Sequence, residues 1–164
     1  MALSNNIPFK SKKNFQLFNR SFEEGRDYEL PSYEVEVLMD QGLVDIIPLK
    51  SVDYLKLLKE EREGKLNNLV ENFFIHARLS QKYLKEKSKE SEKDKKLYSD
   101  SATALRNLLR LRAEKILKAL LVENENIDVH EVELVFISEI SKEISKWKDF
   151  KESIVKGEDY EANI

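Results

Sequence analysis

The stretch Ala104–Leu121, ALRNLLRLRAEKILKALL, constrains the fold more than any other part of the chain. It is the longest unbroken run of strong helix formers and holds no Gly, no Pro and no β-branched cluster. At about 100° of rotation per residue, Leu105, Leu109, Ile116 and Leu120 fall within one narrow arc. Leu108, Leu111, Leu117 and Leu121 spread over the rest of the circumference. A helix apolar on nearly all sides has to be covered on nearly all sides. This predicts a position at the centre of a helical bundle, or in a bundle closed by another subunit.

The same stretch carries five cations, which raises the question of a phosphate-tracking face. With Arg106 at zero, Arg110 lies at about 40°, Lys118 at about 120°, Lys115 at about 180° and Arg112 at about 240°. A nucleic-acid helix gathers its charges on one side, and these are dispersed. They read as solvated rims and ion pairs. Arg112 is distinct because it borders the apolar arc, where a guanidinium needs a carboxylate or carbonyl partner.

Global charge excludes little and supports no polyanion partner: 28 Lys plus Arg stand against 31 Asp plus Glu in 164 residues, for a net charge of −3. Without cysteine there is no disulfide framework, thiolate metal site or cysteine nucleophile. The opening MALSNNIPFKSKK lacks the apolar core of a signal peptide, and no apolar run approaches about 18 residues. A soluble, cytoplasmic chain with no membrane partner is the expectation, of a length that suits one ordinary domain or one plus a small appendage.

Read in order, the chain divides near residue 50. Residues 1 to about 29 place Phe9, Phe15, Leu17, Phe18 and Phe22 without a helical repeat, which predicts short strands or irregular structure with the rings forming a small core. A base-stacking platform would instead hold those rings exposed beside Lys10, Lys12 and Lys13. Pro31 and Gly42 then bracket a short helix over about 31–41, with Val35 and Leu38 inward, and LVDII at 43–47 reads as a buried strand stopped by Pro48. From Ser51, a plausible N-cap, a helix runs to about Arg62 with Val52, Leu55 and Leu58 on one side. A second helix is predicted from about Lys65 to Lys87, with Leu66, Leu69, Val70, Phe73, Ala77 and Leu84 in one stripe and Phe74, Ile75 and Leu79 outside it. KEKSKESEKDKK at 85–96 has no apolar side chain and reads as a solvated helix end or linker. Asp128 and Glu131 approximate a capping box for the last helix. Its stripe of Val129, Val132, Phe136, Ile140, Ile144, Trp147, Phe150 and Ile154 is expected to pack on the central helix. The fold class is therefore mainly α: a small N-terminal α+β domain (1–50) and a C-terminal helical bundle domain (51–164).

No catalytic constellation emerges. The four glycines are isolated from one another, which excludes a Gly-rich phosphate loop, and there is no G-x-S-x-G elbow. The two histidines, His76 and His130, lack ligand-spaced companions, and the carboxylates lie among equal numbers of lysines. The expectation is a non-catalytic scaffold with no cofactor and no metal.

The order of the pieces resembles a family. YELPSYEVEVLMDQGLVDII (28–47), LNNLVENFFIHA (66–77), ALRNLLRLRAEKIL (104–117) with its R-x-x-K at Arg112 and Lys115, and ENIDVHEVELVFISEI (125–140) are together similar to subunits of the GINS complex of DNA replication. The similar type is the archaeal one that carries its small domain first, like the second and third eukaryotic subunits. Tyr33 stands where that family commonly has Trp. The resemblance implies no catalytic activity and a heterotetramer with the GINS subunit of reversed domain order. It also implies contacts with the MCM helicase and a RecJ-like or Cdc45-like protein, primase as a further candidate partner, weak or indirect DNA contact, and residence at replication forks. It assigns Phe73, Phe74, Ile75, Leu79, Leu108, Leu111 and Arg112 to partner interfaces, and Pro31, Tyr33, Leu38 and Trp147 to the domain core. The alternative is a helical DNA-binding or adaptor protein acting through Lys10, Lys12, Lys13 and Arg20 of the aromatic N-terminal region. An enzyme with an unrecognised site is a third reading.

Overall fold

The computed structural model describes residues 6–63, 66, 69–122 and 129–159. The chain is mainly α, with a small strand-containing region preceding the long helices. β1 (Asn6–Ser11) is the middle strand of a three-stranded antiparallel sheet, between β4 (Asp27–Pro31) and β5 (Val44–Ile46). Strand alternation sends Ile7, Phe9 and Ser11 inward and leaves Lys10 in solvent, the period-2 pattern of a half-buried strand. Between β1 and β4 the chain makes a separate hairpin, β2 (Phe15–Leu17) and β3 (Arg20–Phe22). Its Phe22 reaches back into the sheet core, in ring contact with Phe9, Phe15 and Tyr28. The core reading of the N-terminal aromatics thus holds for these four rings, and Phe18 alone is left in solvent.

α1 (Ser32–Asp40) lays Val35 and Leu38 on the sheet, as its spacing predicts. It stops because Gly42 adopts a left-handed conformation (φ 71°), letting the amides of Gly42 and Leu43 turn back to the carbonyls of Met39 and Leu38. Tyr33, expected in the core, points outward and is largely exposed, because it lies on the opposite side of α1 from Val35 and Leu38.

The helical region begins with α2 (Ser51–Arg62), whose cap is Lys50 rather than Ser51: the Lys50 amide donates to the Asp53 carboxylate at 2.8 Å. Tyr54, Leu58 and Glu61 are its buried positions. Val52 and Leu55, expected beside Leu58, are exposed. α3 (Phe73–Lys87) starts later than the stripe from Leu66 predicts, and the interval before it includes residues outside the described set. Ser91 caps α4 (Glu92–Leu121) by accepting from the Asp94 amide at 3.1 Å, so the apolar-free segment 85–96 is a pair of solvated helix ends joined by a turn. Tyr54, Leu58, Phe73, Ala77, Ala104 and Leu108 from the three helices form the second core. α5 (Glu131–Lys156) follows after an interval outside the described residues, in which Asp128 of the expected capping box falls.

The two regions are seated on each other through α3. Leu79 is fully buried in the sheet core, with Ile75 and Tyr83 packed beside it. Polar contacts rim this seat: the Leu49 amide donates to Ser80 Oγ at 2.8 Å, Asn72 Nδ2 to the Asn6 carbonyl at 2.8 Å, and His76 Nε2 lies 2.9 Å from the Ile47 carbonyl. On the α1 side, Glu36 takes both nitrogens of the Arg78 fork at 2.9 and 3.1 Å, and Lys82 bridges Glu36 and Asp40. The Arg78 hydrogen bonds, reinforced by Lys82 against the cost of burial, hold the Glu36 carboxyl down to about 2. Hydrogen bonding to these same carboxylates raises Arg78 and Lys82. Because the folded value of Glu36 is depressed, its contribution is complete above the unfolded carboxylate range, near 4.5, and disappears as pH falls through about 2. Urea denaturation should therefore show Glu36→Gln about 1 kcal/mol less stable than the parent at pH 7, and the two should converge on acidification. A gap independent of pH between 6 and about 2 would remove this ion network from the seat's energetics.

Candidate functional site

No group of three or more His, Asp or Glu side chains that could hold a metal ion exists among the described residues. His76 serves the seat of the small region, and His130 caps a helix. What the fold builds is an apolar surface between the C-terminal half of α4 and the length of α5.

α5 is anchored at its N-terminal end. Glu133, in its first turn, closes a fork on Arg112, with Nε to Oε2 at 3.0 Å and Nη2 to Oε1 at 2.6 Å. Arg112, only 1% exposed, also donates from Nη1 to Glu61 of α2 at 2.6 Å. Lys115 adds the carbonyl of Glu61 and, at 3.7 Å, its carboxylate. The partner that the sequence demands for Arg112 is thus a pair of carboxylates from α2 and α5, so one guanidinium ties three helices together. His130 completes the anchor. Its Nδ1 accepts from the Val132 amide at 3.1 Å, Nε2 donates to the Glu71 carbonyl at 2.7 Å, and its ring meets Phe74 edge-on. The His130 amide in turn donates to Glu133 Oε1 at 3.0 Å, a capping box two residues beyond the expected one.

Past this anchor α5 buries only Ile137 and Ser153. Ile137 is its one buried large apolar residue among the described positions. Phe136, Ile140, Trp147, Phe150 and Ile154 are exposed, and Leu109, Leu117 and Leu121 face solvent from α4. This corrects two expectations. The α5 stripe does not close on the central helix: Phe136, Ile140, Ile144 and Trp147 border α4 across unfilled hollows instead of interlocking with it. Trp147, expected in the domain core, is 54% exposed.

Two hollows lie along this surface. One of about 490 Å³ is walled by Leu117, Leu121, Ile140, Ile144 and Trp147, with Glu139 and Glu143 at its rim. The other, about 190 Å³, lies between Leu109, Ala113 and Ile116 of α4 and Phe136, Ile137 and Ile140 of α5. The walls of both are mainly apolar, with Glu133 also lining the smaller one.

The residues assigned from sequence to partner interfaces are placed differently. Phe73, Leu79, Leu108 and Arg112 are buried within this chain, in the two cores and the ion network, and are inaccessible to a partner. The reason is that the second apolar face of α3, which carries Ile75 and Leu79, is covered by the chain's own sheet. Phe74 and Leu111 are half-buried against the helical core, and Ile75 against the sheet. Leu38 is buried in the sheet core and Pro31 is half-buried at the start of α1. Three of the N-terminal cations are paired: Lys10 lies 3.8 Å from Asp27, Lys12 3.7 Å from Asp45 and Arg20 3.2 Å from Glu34. Among the described residues no helix is long and apolar enough to cross a membrane.

No protein-family model matches this chain, and no curated protein matches it.

Proposed function

We propose that this chain is a non-catalytic scaffold subunit that works inside a hetero-oligomer, and that the oligomer is a GINS complex of the archaeal kind. The observation that carries the reading is the uncovered apolar surface of α4 and α5. A 26-residue helix anchored by a buried ion network, yet presenting Phe136, Ile140, Trp147, Phe150 and Ile154 to water, is a helix built to be covered. The ordered motifs of the sequence supply the family. A small strand-containing region precedes the helices, as the resemblance requires of the subunit type related to the second and third eukaryotic members. In this reading the GINS subunit of reversed domain order covers the α4–α5 surface, and the tetramer joins the MCM helicase to a RecJ-like or Cdc45-like protein at the replication fork.

Co-expression with the reversed-order subunit of the same organism, followed by light scattering on the size-exclusion eluate, tests this directly. The expected species is a heterotetramer with two copies of each chain. Elution of this chain alone as a monomer, with its partner in a separate peak, would remove the GINS reading.

A further inference from the structure

The tip of the β2–β3 hairpin carries a residue that the fold itself does not use. Phe15–Leu17 pairs with Arg20–Phe22 so that Phe18 and Asn19 form a two-residue loop. Phe18 is the one non-glycine residue with positive φ among those described, at 52°. The favoured two-residue hairpin loops are the primed turns, whose first loop position has positive φ and suits glycine. Here it holds a bulky aromatic that is 86% exposed. Phe9, Phe15, Phe22 and Tyr28 are joined by ring contacts, and Phe18 is in none of them. Backbone strain and an exposed ring are both unfavourable in the isolated chain, and such outliers gather at contact sites.

The surroundings of the ring identify the contact. Gln16, Asn19, Arg20 and Ser21 flank it, all exposed and all polar. An aromatic anchor for a protein pocket is ringed by further apolar contacts that exclude water, and at this tip the one apolar neighbour, Leu17, is half-buried against the sheet core. The run from Lys10 to Phe22 contains Lys10, Lys12, Lys13 and Arg20 and no Asp or Glu. Arg20 meets Glu34, 18% exposed, at 3.2 Å, while Lys10 and Lys12 meet Asp27 and Asp45, also from outside the run, across more exposed pairs of 3.8 and 3.7 Å. Exposed pairs of this kind contribute little and exchange readily for another anion. One exposed ring for a π-face, with amides and a guanidinium beside it in a basic stretch of sequence, are the components of a single-strand nucleic-acid contact.

We propose that the β2–β3 tip is a stacking finger for an unpaired base of single-stranded nucleic acid, with Phe18 as the platform and the acid-free basic run facing the phosphates. This goes beyond the scaffold role and does not depend on it, since it concerns a surface separate from α4 and α5. It also revises the aromatic N-terminal alternative: four rings build the core and one is left for the ligand.

The test is fluorescence anisotropy of the full chain with fluorescein-labelled dT20, rU20 and a 20-base-pair duplex in about 50 mM salt. Binding of dT20 or rU20 in preference to the duplex is expected, the two single strands showing whether DNA or RNA is the better source of the base. The logarithmic salt slope should be about −1.4 to −2.1, for two or three phosphates at about −0.7 each. Phe18→Gly, which suits the turn and so preserves the fold, should weaken single-strand binding about 5- to 100-fold, and Phe18→Trp should retain it. Absence of single-strand binding, equal affinity for the duplex, or equal affinity of the Phe18→Gly chain would each overturn the proposal. Loss of subunit co-elution by Phe18→Gly with oligonucleotide affinity unchanged would overturn it in favour of a protein pocket.

Discussion

Arg112→Met is expected to destabilise the chain by about 3–5 kcal/mol, the cost of removing one member from a buried ion network. The guanidinium is held by Glu61 and Glu133, whose side chains are 2% and 12% exposed, so its loss leaves two carboxylates in a site too dry to solvate them. Lys115 stays near Glu61 and moderates the effect on that side. Glu133 keeps only the neutral His130 amide, and α5 should loosen first. Urea denaturation gives the magnitude, and amide hydrogen exchange over 131–140 gives the location. Adding Glu61→Leu and Glu133→Leu to Arg112→Met should recover most of the loss, because an apolar replacement of a whole buried network is often close to neutral. A deficit below about 1 kcal/mol for Arg112→Met alone would mean that water enters the site at little cost.

The second large effect belongs to assembly rather than folding. Ile140→Glu combined with Trp147→Glu should leave the isolated chain within about 1 kcal/mol of the parent, since both side chains already face solvent. The same pair should weaken association with the reversed-order subunit by about a thousandfold, taking about 2 kcal/mol for each residue lost from the centre of an interface. Analytical ultracentrifugation over a concentration series reads this directly. A double variant that is folded and assembles with unchanged affinity would place the interface elsewhere. The contrast with Arg112→Met matters here: one substitution should lower stability whether or not a partner is present, while the other pair should act only in its presence.

Local punctuation was the most legible part of the sequence. Pro31 and Gly42 bracket α1 to within a residue, and the LVDII run contains β5. Helical spacing also located α2 and the central helix, because these depend on neighbours three and four positions away. Arg112 could be marked as a cation needing a partner, but Glu61 could not be chosen from so many acids by composition. Its signal was positional: it lies three residues after Leu58 and seven after Tyr54, an acid in the buried row of α2. The cap of α5 was misplaced because His is not among the strongly preferred N-cap residues, whereas Asp128 and Glu131 fit the usual spacing.

The larger differences share one physical cause. Periodicity reports which side chains lie on one face, and says nothing about what covers that face. The second face of α3, with Ile75 and Leu79, read as a site for another protein and is covered by the chain's own sheet. The long stripe of α5 read as the internal packing of the bundle and is uncovered. Both outcomes are decided by contacts between residues far apart in sequence. Phe18 eluded the reading for a different reason: five aromatics close together form a core on average, and only the hairpin register reveals which one is carried to the tip.

The burial of Leu79 in the sheet core bears on how the molecule can be divided. Along the chain there is a clear change of character near residue 50, and a cut there would seem to release two units. In the packed protein the keystone of the first unit is supplied by a helix of the second. Separating the two pieces would open the small core at its centre and leave Leu79 stranded on the helices. The seat is therefore inscribed on α3 rather than in the connecting segment. A rearranged chain with the small region joined at its other end could keep the same architecture as long as it kept that helix, so the order of the pieces is more easily altered than their partnership.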